Sequence, residues 1–84
     1  MKREVTVEVS EEFGATPIAH LVQLANGYDS KIYIEVDNKK INAKSIMGMM
    51  SLVMREGQTV AIIAEGSDEE QACDAIEEFF NKNI

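Results

Sequence analysis

Three short stretches of the chain alternate between apolar and polar residues, namely 3–9, 31–36 and 39–43. A period of two is typical of strands that bury one face. An Asp-Asn pair separates the second stretch from the third, which predicts a hairpin. A fourth stretch, 59–64, is apolar at most positions and is therefore predicted to be a central strand. The inward positions of the alternating strands are predicted to be Val5, Val7, Val9, Ile32, Ile34, Val36 and Ile41.

A first helix is predicted between the first two strands. Thr16 can cap free backbone amides, and Pro17 suits the first helical position because the amide it lacks would have no partner there. The helix is predicted to end at Asn26-Gly27, a stop signal of the kind that accepts positive φ.

Two further helices are predicted from serine caps. Ser45 precedes a helix over residues 46–54, and Ser67 precedes a last helix in which Glu70 completes a capping box. Apolar residues of the last helix recur at helical spacing and are predicted to pack on the sheet. These residues are Ala72, Ile76, Phe79, Phe80 and Ile84.

The predicted order of elements is βαββαβα. Helices that interrupt a mostly antiparallel sheet give a two-layer α+β fold, an open-faced sandwich with four strands and three helices on one face. A chain of 84 residues is long enough for one hydrophobic core, so residues 1–84 are expected to be a single domain.

The net charge limits the classes of partner. The chain carries 15 acidic against 8 basic residues, a formal charge of −7. Nucleic-acid binding relies on clustered Lys and Arg, so nucleic acid is not expected as a direct partner. No apolar run approaches the roughly 20 residues that span a bilayer, and the N-terminus has no secretory pattern. We therefore expect a cytoplasmic protein with no membrane contact. The acidic residues between positions 65 and 78 are interpreted as the solvated face of the last helix.

Few residues could carry enzyme chemistry. His20 is the only histidine and Cys73 the only cysteine, which leaves no cluster for a metal site. No serine has a nucleophile-elbow pattern, and the glycines form no phosphate-cradling motif. We therefore expect no enzyme activity, no metal and no cofactor. Ser45 follows Lys44 and opens a helix, so a phosphate there would meet free amides. From these residues alone, however, an ordinary N-cap serine is the favoured explanation.

Two stretches lack charge altogether, residues 13–28 and residues 45–54. The second contains four methionines, and its apolar residues fall on two sides of a helix. Both sides cannot be core in so thin a domain, so at least one methionine should be exposed. Exposed apolar area of this kind usually marks a contact site, and methionine suits adaptable binding surfaces. The alternative is that the methionines fill gaps in the core.

The segment from Asn42 to Leu52 resembles the regulatory serine region of HPr, the small phosphocarrier of the bacterial phosphotransferase system. The resemblance covers the whole chain. It includes the βαββαβα order, Pro17 with Gln23 and Ala25 in the first helix, and the acidic opening of the last helix over residues 66–72.

The histidine motif of the HPr family is broken in this sequence. The family carries glycine, an aliphatic residue, the phosphorylated histidine, alanine or threonine, arginine and proline in sequence. Residues 12–17 stand in those places, with Gly14 at the histidine position and Thr16 at the arginine position. Glycine has no nucleophile, so relay of a phosphoryl group through this position is not expected. The pattern is most similar to Crh-like catabolite-repression variants of HPr, which keep the serine and lack the histidine.

The resemblance implies a site and its partners. Ser45 would be phosphorylated by an HPr kinase/phosphorylase, and the phosphoprotein would bind a LacI-type catabolite regulator or another enzyme. The partner-binding residues implied are Gly14, Ala15, Thr16, Ala19, His20, Gln23, Lys44, Ile46, Met47 and Met50.

Two alternatives remain open at this point. The chain could be a partner-binding module without phosphorylation, including a homodimer formed through the same face. It could also be an active phosphocarrier that uses His20. A strongly phosphate-dependent interaction would separate the regulatory protein from the unphosphorylated module, and an acid-labile phosphohistidine would favour the phosphocarrier.

Overall fold

The computed structural model describes residues 1–6, 15–51 and 57–82, and the elements within them follow the order βαββαβα. The strands are β1 (Lys2–Thr6), β2 (Lys31–Val36), β3 (Lys39–Asn42) and β4 (Thr59–Glu65). The helices are α1 (Ala15–Ala25), α2 (Ile46–Met50) and α3 (Glu69–Lys82). The order predicted from the hydrophobic pattern is confirmed.

The strands form one sheet in the spatial order β1-β4-β2-β3, with every neighbouring pair antiparallel. The apolar strand β4 lies between β1 and β2, as its composition predicts. Val5 faces Val60 across the β1–β4 pair, and Ile34 faces Ile62 across the β2–β4 pair. Because side chains alternate along a strand, these pairs lie on one face of the sheet.

The β2–β3 connection is a two-residue hairpin turn. Asp37 and Asn38 have φ angles of 51° and 69°, the positive values that a type I′ turn requires at both central positions. Asn and Asp tolerate this conformation better than most residues do. The predicted turn at this pair is therefore confirmed.

The three helices cover the apolar face of the sheet. α3 packs on β4 and β1, α2 packs on β3, and α1 packs against both other helices. Phe80 and Leu21 are the largest of the fully buried side chains. The predicted two-layer architecture is thus confirmed. The buried apolar residues include Val5, Ile18, Val22, Ile32, Val36, Met49, Val60, Ile62, Ala72 and Ile76.

The ends of α1 differ from the sequence-based prediction. The helix begins at Ala15, so Thr16 lies within its first turn and is not the cap. Asn26 and Gly27 do end the helix, but without positive φ. Instead the last turn tightens, with the Gly27 amide donating to the Leu24 carbonyl at 3.1 Å, a short-range bond that satisfies carbonyls at helix ends.

The predicted capping box of α3, formed by Ser67 and Glu70, is wrong. The cap lies one residue later, at Asp68. The Asp68 carbonyl accepts the first helical hydrogen bond, from the Ala72 amide at 2.9 Å. Glu69, and not Glu70, reaches back, and its Oε1 accepts from the Gly66 amide at 3.2 Å. The reason is tertiary, because the Asp68 carboxylate accepts hydrogen bonds from another loop.

That loop contains Ser30, a fully buried polar residue. Its hydroxyl and its amide both donate to Oδ1 of Asp68, the amide at 3.0 Å, and the Asp29 amide donates to Oδ2 at 2.9 Å. The hydrogen bond from the Ser30 hydroxyl is the main reason that the pKa of Asp68 lies below its ordinary value, followed by the bond from the Asp29 amide. This cluster joins the start of α3 to the start of β2.

Part of the acidic face of α3 is held by the first strand. The Arg3 guanidinium hydrogen-bonds Asp74 and lies 3.0 Å from Oε1 of Glu77. The hydrogen bond to Asp74 is the main cause of a raised pKa for Arg3.

The predicted inward positions Val7, Val9 and Ile84 lie outside the described residues, as does Met54 at the predicted end of the second helix.

Candidate functional site

Ser45 is the N-cap of α2. It has an extended backbone conformation, and its Oγ accepts a hydrogen bond from the Gly48 amide at 3.2 Å. Its carbonyl accepts from the Met49 amide at 2.9 Å. The half-buried Ser45 side chain therefore stands at the first turn of the helix, where backbone amides lack partners within the helix.

The turn before Ser45 is built by an asparagine. Oδ1 of Asn42 accepts from the Lys44 amide at 2.8 Å, and the Asn42 carbonyl accepts from the Ser45 amide at 3.1 Å. Such local side-chain bonds are the reason that asparagine favours turns. The side chain of Asn26, at the end of α1, donates to the Lys44 carbonyl at 3.2 Å, which ties this turn to the first helix.

Lys44 makes a second connection to the end of α1. Its Nζ donates to the Tyr28 carbonyl at 2.6 Å. The half-buried lysine is thus oriented toward the α1–β2 loop, in addition to preceding Ser45 in sequence. None of these three positioning residues, Asn26, Asn42 and Tyr28, was predicted from the sequence. Only the turn preference of Asn42 could have been read from the sequence.

The methionines of α2 divide into buried and exposed positions. Met49 is 0% exposed and packs in the core, whereas Met47 is 83% exposed and Met50 48% exposed. Ile46 is 44% exposed, so that α2 supplies most of the large apolar side chains found exposed in residues 1–6, 15–51 and 57–82. The prediction that at least one methionine of this stretch is exposed is confirmed.

α2 lies close to the strand beneath it. A Cβ atom at Gly48 would stand 3.1 Å from a methyl carbon of Ile41 and 3.4 Å from Oγ of Ser45. Any larger residue at this position would crowd the Ile41 methyl group. Gly48 thus allows α2 and β3 to approach each other closely.

The outer face of α1 continues the uncharged surface. α1 packs against α2, and its buried positions include Ile18, Leu21 and Val22. Neither helix contains a charged residue. The exposed residues of both helices, together with the cap, are called the α1/α2 surface below. They are Ala19, His20, Gln23, Ser45, Ile46, Met47 and Met50.

The remaining residues of the predicted site are only partly described. The backbones of Ala15 and Thr16 belong to the first turn of α1, but their side chains are outside the described part of the structure, and so is Gly14. Among the residues that are described, no three His, Cys, Asp or Glu side chains come together as metal ligands. No helix in that part of the chain is long and apolar enough to cross a membrane.

Comparison with known proteins identifies relatives over the full length. A family model described as the PTS HPr component phosphorylation site matches residues 1–82. The HPr-like protein Crh of Halalkalibacterium halodurans is 45% identical over 82 residues, which cover 98% of each chain.

Solved structures give the same result. HPr-C-His from Thermoanaerobacter tengcongensis superposes with a TM-score of 0.88 at 41% identity, covering 96% of this chain and 91% of that one. Crh of Bacillus subtilis superposes with a TM-score of 0.78 at 39% identity, covering 98% and 94%, and is described as an intertwined dimer with a swapped domain.

Proposed function

Because the chain belongs to the PTS-HPr family, we propose that it is a regulatory member of that family. In this proposal Ser45 is phosphorylated, and the α1/α2 surface then binds a protein partner. The protein signals carbon status by binding and does not relay phosphate through a histidine. It is a cytoplasmic component of the phosphotransferase system without enzyme activity of its own.

One observation carries the proposal, the position of Ser45 beside exposed apolar side chains. The serine hydroxyl caps α2 at 3.2 Å from the Gly48 amide, and the next two residues, Ile46 and Met47, are exposed. A phosphate on Oγ would keep backbone amides as donors. The described part of α2 has five residues. The phosphate would therefore be stabilised mainly by hydrogen bonds from these amides and less by a helix dipole.

Phosphorylation would change the chemistry of this surface sharply. An uncharged apolar surface would gain a phosphate with a charge of about −1.5 to −2 at neutral pH. A partner could then bind the dianion through bidentate hydrogen bonds from an arginine and bury Met47 and Met50 at the same time. By resemblance to the family, the modifying protein is an HPr kinase/phosphorylase and the partner a LacI-type catabolite regulator.

The same reasoning argues against histidine relay. Gly14 offers no nucleophile where the family has its histidine. His20 is an exposed residue of α1, and no hydrogen bond or ion pair joins it to another described side chain. General acid–base or nucleophilic histidines usually have a partner that orients the ring. We therefore propose that His20 contributes contact area and not phosphoryl chemistry.

The test is phosphorylation by HPr kinase and ATP, measured by intact mass. The expected result is a gain of one phosphate on the wild-type chain and none on Ser45→Ala. A Ser51→Ala variant is the matched control, because Ser51 is an exposed serine at the other end of the same helix; it should be phosphorylated like wild type. No mass gain under conditions that fully modify an ordinary HPr would contradict the proposal.

A second candidate function is a homodimer formed without phosphorylation. The observation that favours it is the dimeric Crh of Bacillus subtilis, which is 39% identical to this chain. Sedimentation of the unphosphorylated protein tests this alternative. A dimer that Met47→Lys dissociates would indicate self-association through the α1/α2 surface, whereas a monomer at all concentrations would leave the regulatory function as the sole proposal.

A further inference from the structure

The sulfur-containing residues in the described part of the chain differ strongly in access to solvent. Cys73 and Met49 are 0% exposed, whereas Met47 and Met50 are exposed. Burial is the main cause of a raised pKa for the Cys73 thiol, which disfavours the reactive thiolate. Oxidants in solution will therefore meet the thioethers of α2 before they meet the only thiol.

Met47 and Met50 also lie on the same side of α2. Residues three apart in a helix are neighbours on its surface, and Met49 points instead into the core between the helix and the sheet. Both exposed thioethers belong to the α1/α2 surface. Their oxidation would therefore make this surface markedly less apolar.

We propose that Met47 and Met50 form an oxidation site that makes the α1/α2 surface polar without unfolding the protein. The oxidant is a hydroperoxide. Its terminal oxygen is transferred to Sδ, so that an S–O bond forms as the O–O bond breaks. The thioether is oxidised by two electrons, and the peroxide leaves as water or, for an organic hydroperoxide, as the alcohol. A methionine sulfoxide reductase can reverse the change.

The consequence for binding rests on the function proposed above. A sulfoxide is polar and chiral, so it disrupts surfaces that methionine makes adaptable. Docking that buries both methionines would weaken even when Ser45 is phosphorylated. Oxidation would thus control the same surface independently of the phosphate. Because Met49 keeps its place in the core, stability should change little.

The first measurement maps the oxidised residues. The folded protein is treated with limiting hydrogen peroxide, cleaved with trypsin, and the peptide of residues 45–55 is sequenced by fragmentation. Met47 and Met50 should be oxidised about tenfold or more faster than Met49, because oxidation follows exposure. Equal rates at Met47 and Met49, or loss of the folded circular dichroism spectrum at that dose, would overturn the proposal.

The second measurement tests how apolar the α1/α2 surface is before and after oxidation. Oxidised wild type should elute earlier than untreated protein from a hydrophobic-interaction column. The matched control is the double variant Met47→Leu, Met50→Leu, which keeps apolar side chains of similar volume but has no sulfur at these positions. Met1, Met49 and Met54 remain in this variant, and Met1 is exposed, so its retention should shift with peroxide much less than that of wild type. An equal shift in both proteins would overturn the proposal.

The third measurement uses HPr kinase with ATP as the docking partner. Oxidised wild type should be phosphorylated severalfold more slowly than untreated wild type, and the double leucine variant should keep its rate after peroxide. An unchanged rate for oxidised wild type would overturn the proposed effect on docking. If even untreated protein is not phosphorylated, the regulatory function fails, while the oxidation map and the column retention still decide the oxidation site.

Discussion

Shortening two neighbouring methionines to alanine tests the division of α2 into a buried and an exposed side. The change is chemically identical in Met47→Ala and Met49→Ala, so the difference between the two reports only their surroundings. Met49 is 0% exposed, and Met47 is 83% exposed. The free energy of unfolding should therefore fall strongly for one variant and barely for the other.

The size of each effect follows from burial. Full burial of a methionine side chain is worth about 1.5–3 kcal/mol, and the cavity left by truncation brings a Met→Ala change in a core to about 2–5 kcal/mol. That is the expected loss for Met49→Ala. Met47 keeps only about a sixth of its surface covered, so its loss should be about 0.5 kcal/mol or less. The better helix propensity of alanine offsets part of this.

Thermal unfolding followed by circular dichroism measures both variants. A domain of this size loses roughly 4–8 °C of Tm per kcal/mol. Met49→Ala should therefore melt at least about 8 °C below wild type, and Met47→Ala within about 4 °C of it. Met47→Lys should behave like Met47→Ala, since surface substitutions usually stay within about 0.5 kcal/mol. Similar losses at positions 47 and 49 would refute the assignment of Met47 to the surface.

Three further predictions concern other parts of the molecule. Gly66→Ala should destabilise the domain by about 1–3 kcal/mol, because the new Cβ would stand 2.7 Å from the Ser30 Cα; a Tm equal to wild type would count against this. Asp68→Asn should cost stability at neutral pH, and this cost should shrink progressively as the pH falls below about 4. The pKa of Asp68 is lowered in the fold, so the unfolded chain takes up the proton first, and the stabilisation present above about pH 4 is lost as the pH falls through the folded pKa. A difference between variant and wild type in urea midpoint that does not change with pH would contradict that reasoning. Enzyme I with phosphoenolpyruvate should leave the chain unmodified, and an acid-labile mass gain would show that His20 or another residue accepts the phosphoryl group.

Much of the fold could be predicted because local pattern and tertiary structure agree. The alternation around Val5 and Ile34 sets which strand face is buried, and the Asp-Asn pair fixes the hairpin register. The cap of α3 could not be predicted in the same way. Ser67 and Asp68 are both good caps, and only the bonds from the distant Ser30 loop to Asp68 decide between them.

The candidate site shows the same limit. Periodicity predicts that α2 has apolar residues on two sides, but not which side meets the sheet. In the structure, the side of α2 that contains Gly48 lies close to Ile41. Nothing in the sequence indicates that these two residues are in contact. The bond from Lys44 to the Tyr28 carbonyl is likewise a long-range contact. The sequence alone predicted that Lys44 precedes Ser45 at the start of a helix, but not which groups their side chains contact.

In the regulatory function proposed above, a phosphate on Ser45 and the exposed methionines bind one partner together. The most direct measurement is calorimetric binding of a LacI-type catabolite regulator to three proteins: the unmodified chain, the Ser45-phosphorylated chain and the phosphorylated Met47→Lys variant. Tight binding is expected only for the phosphorylated wild type, with marked weakening by the lysine. Equal affinity with and without phosphate, or no effect of Met47→Lys, would contradict the account.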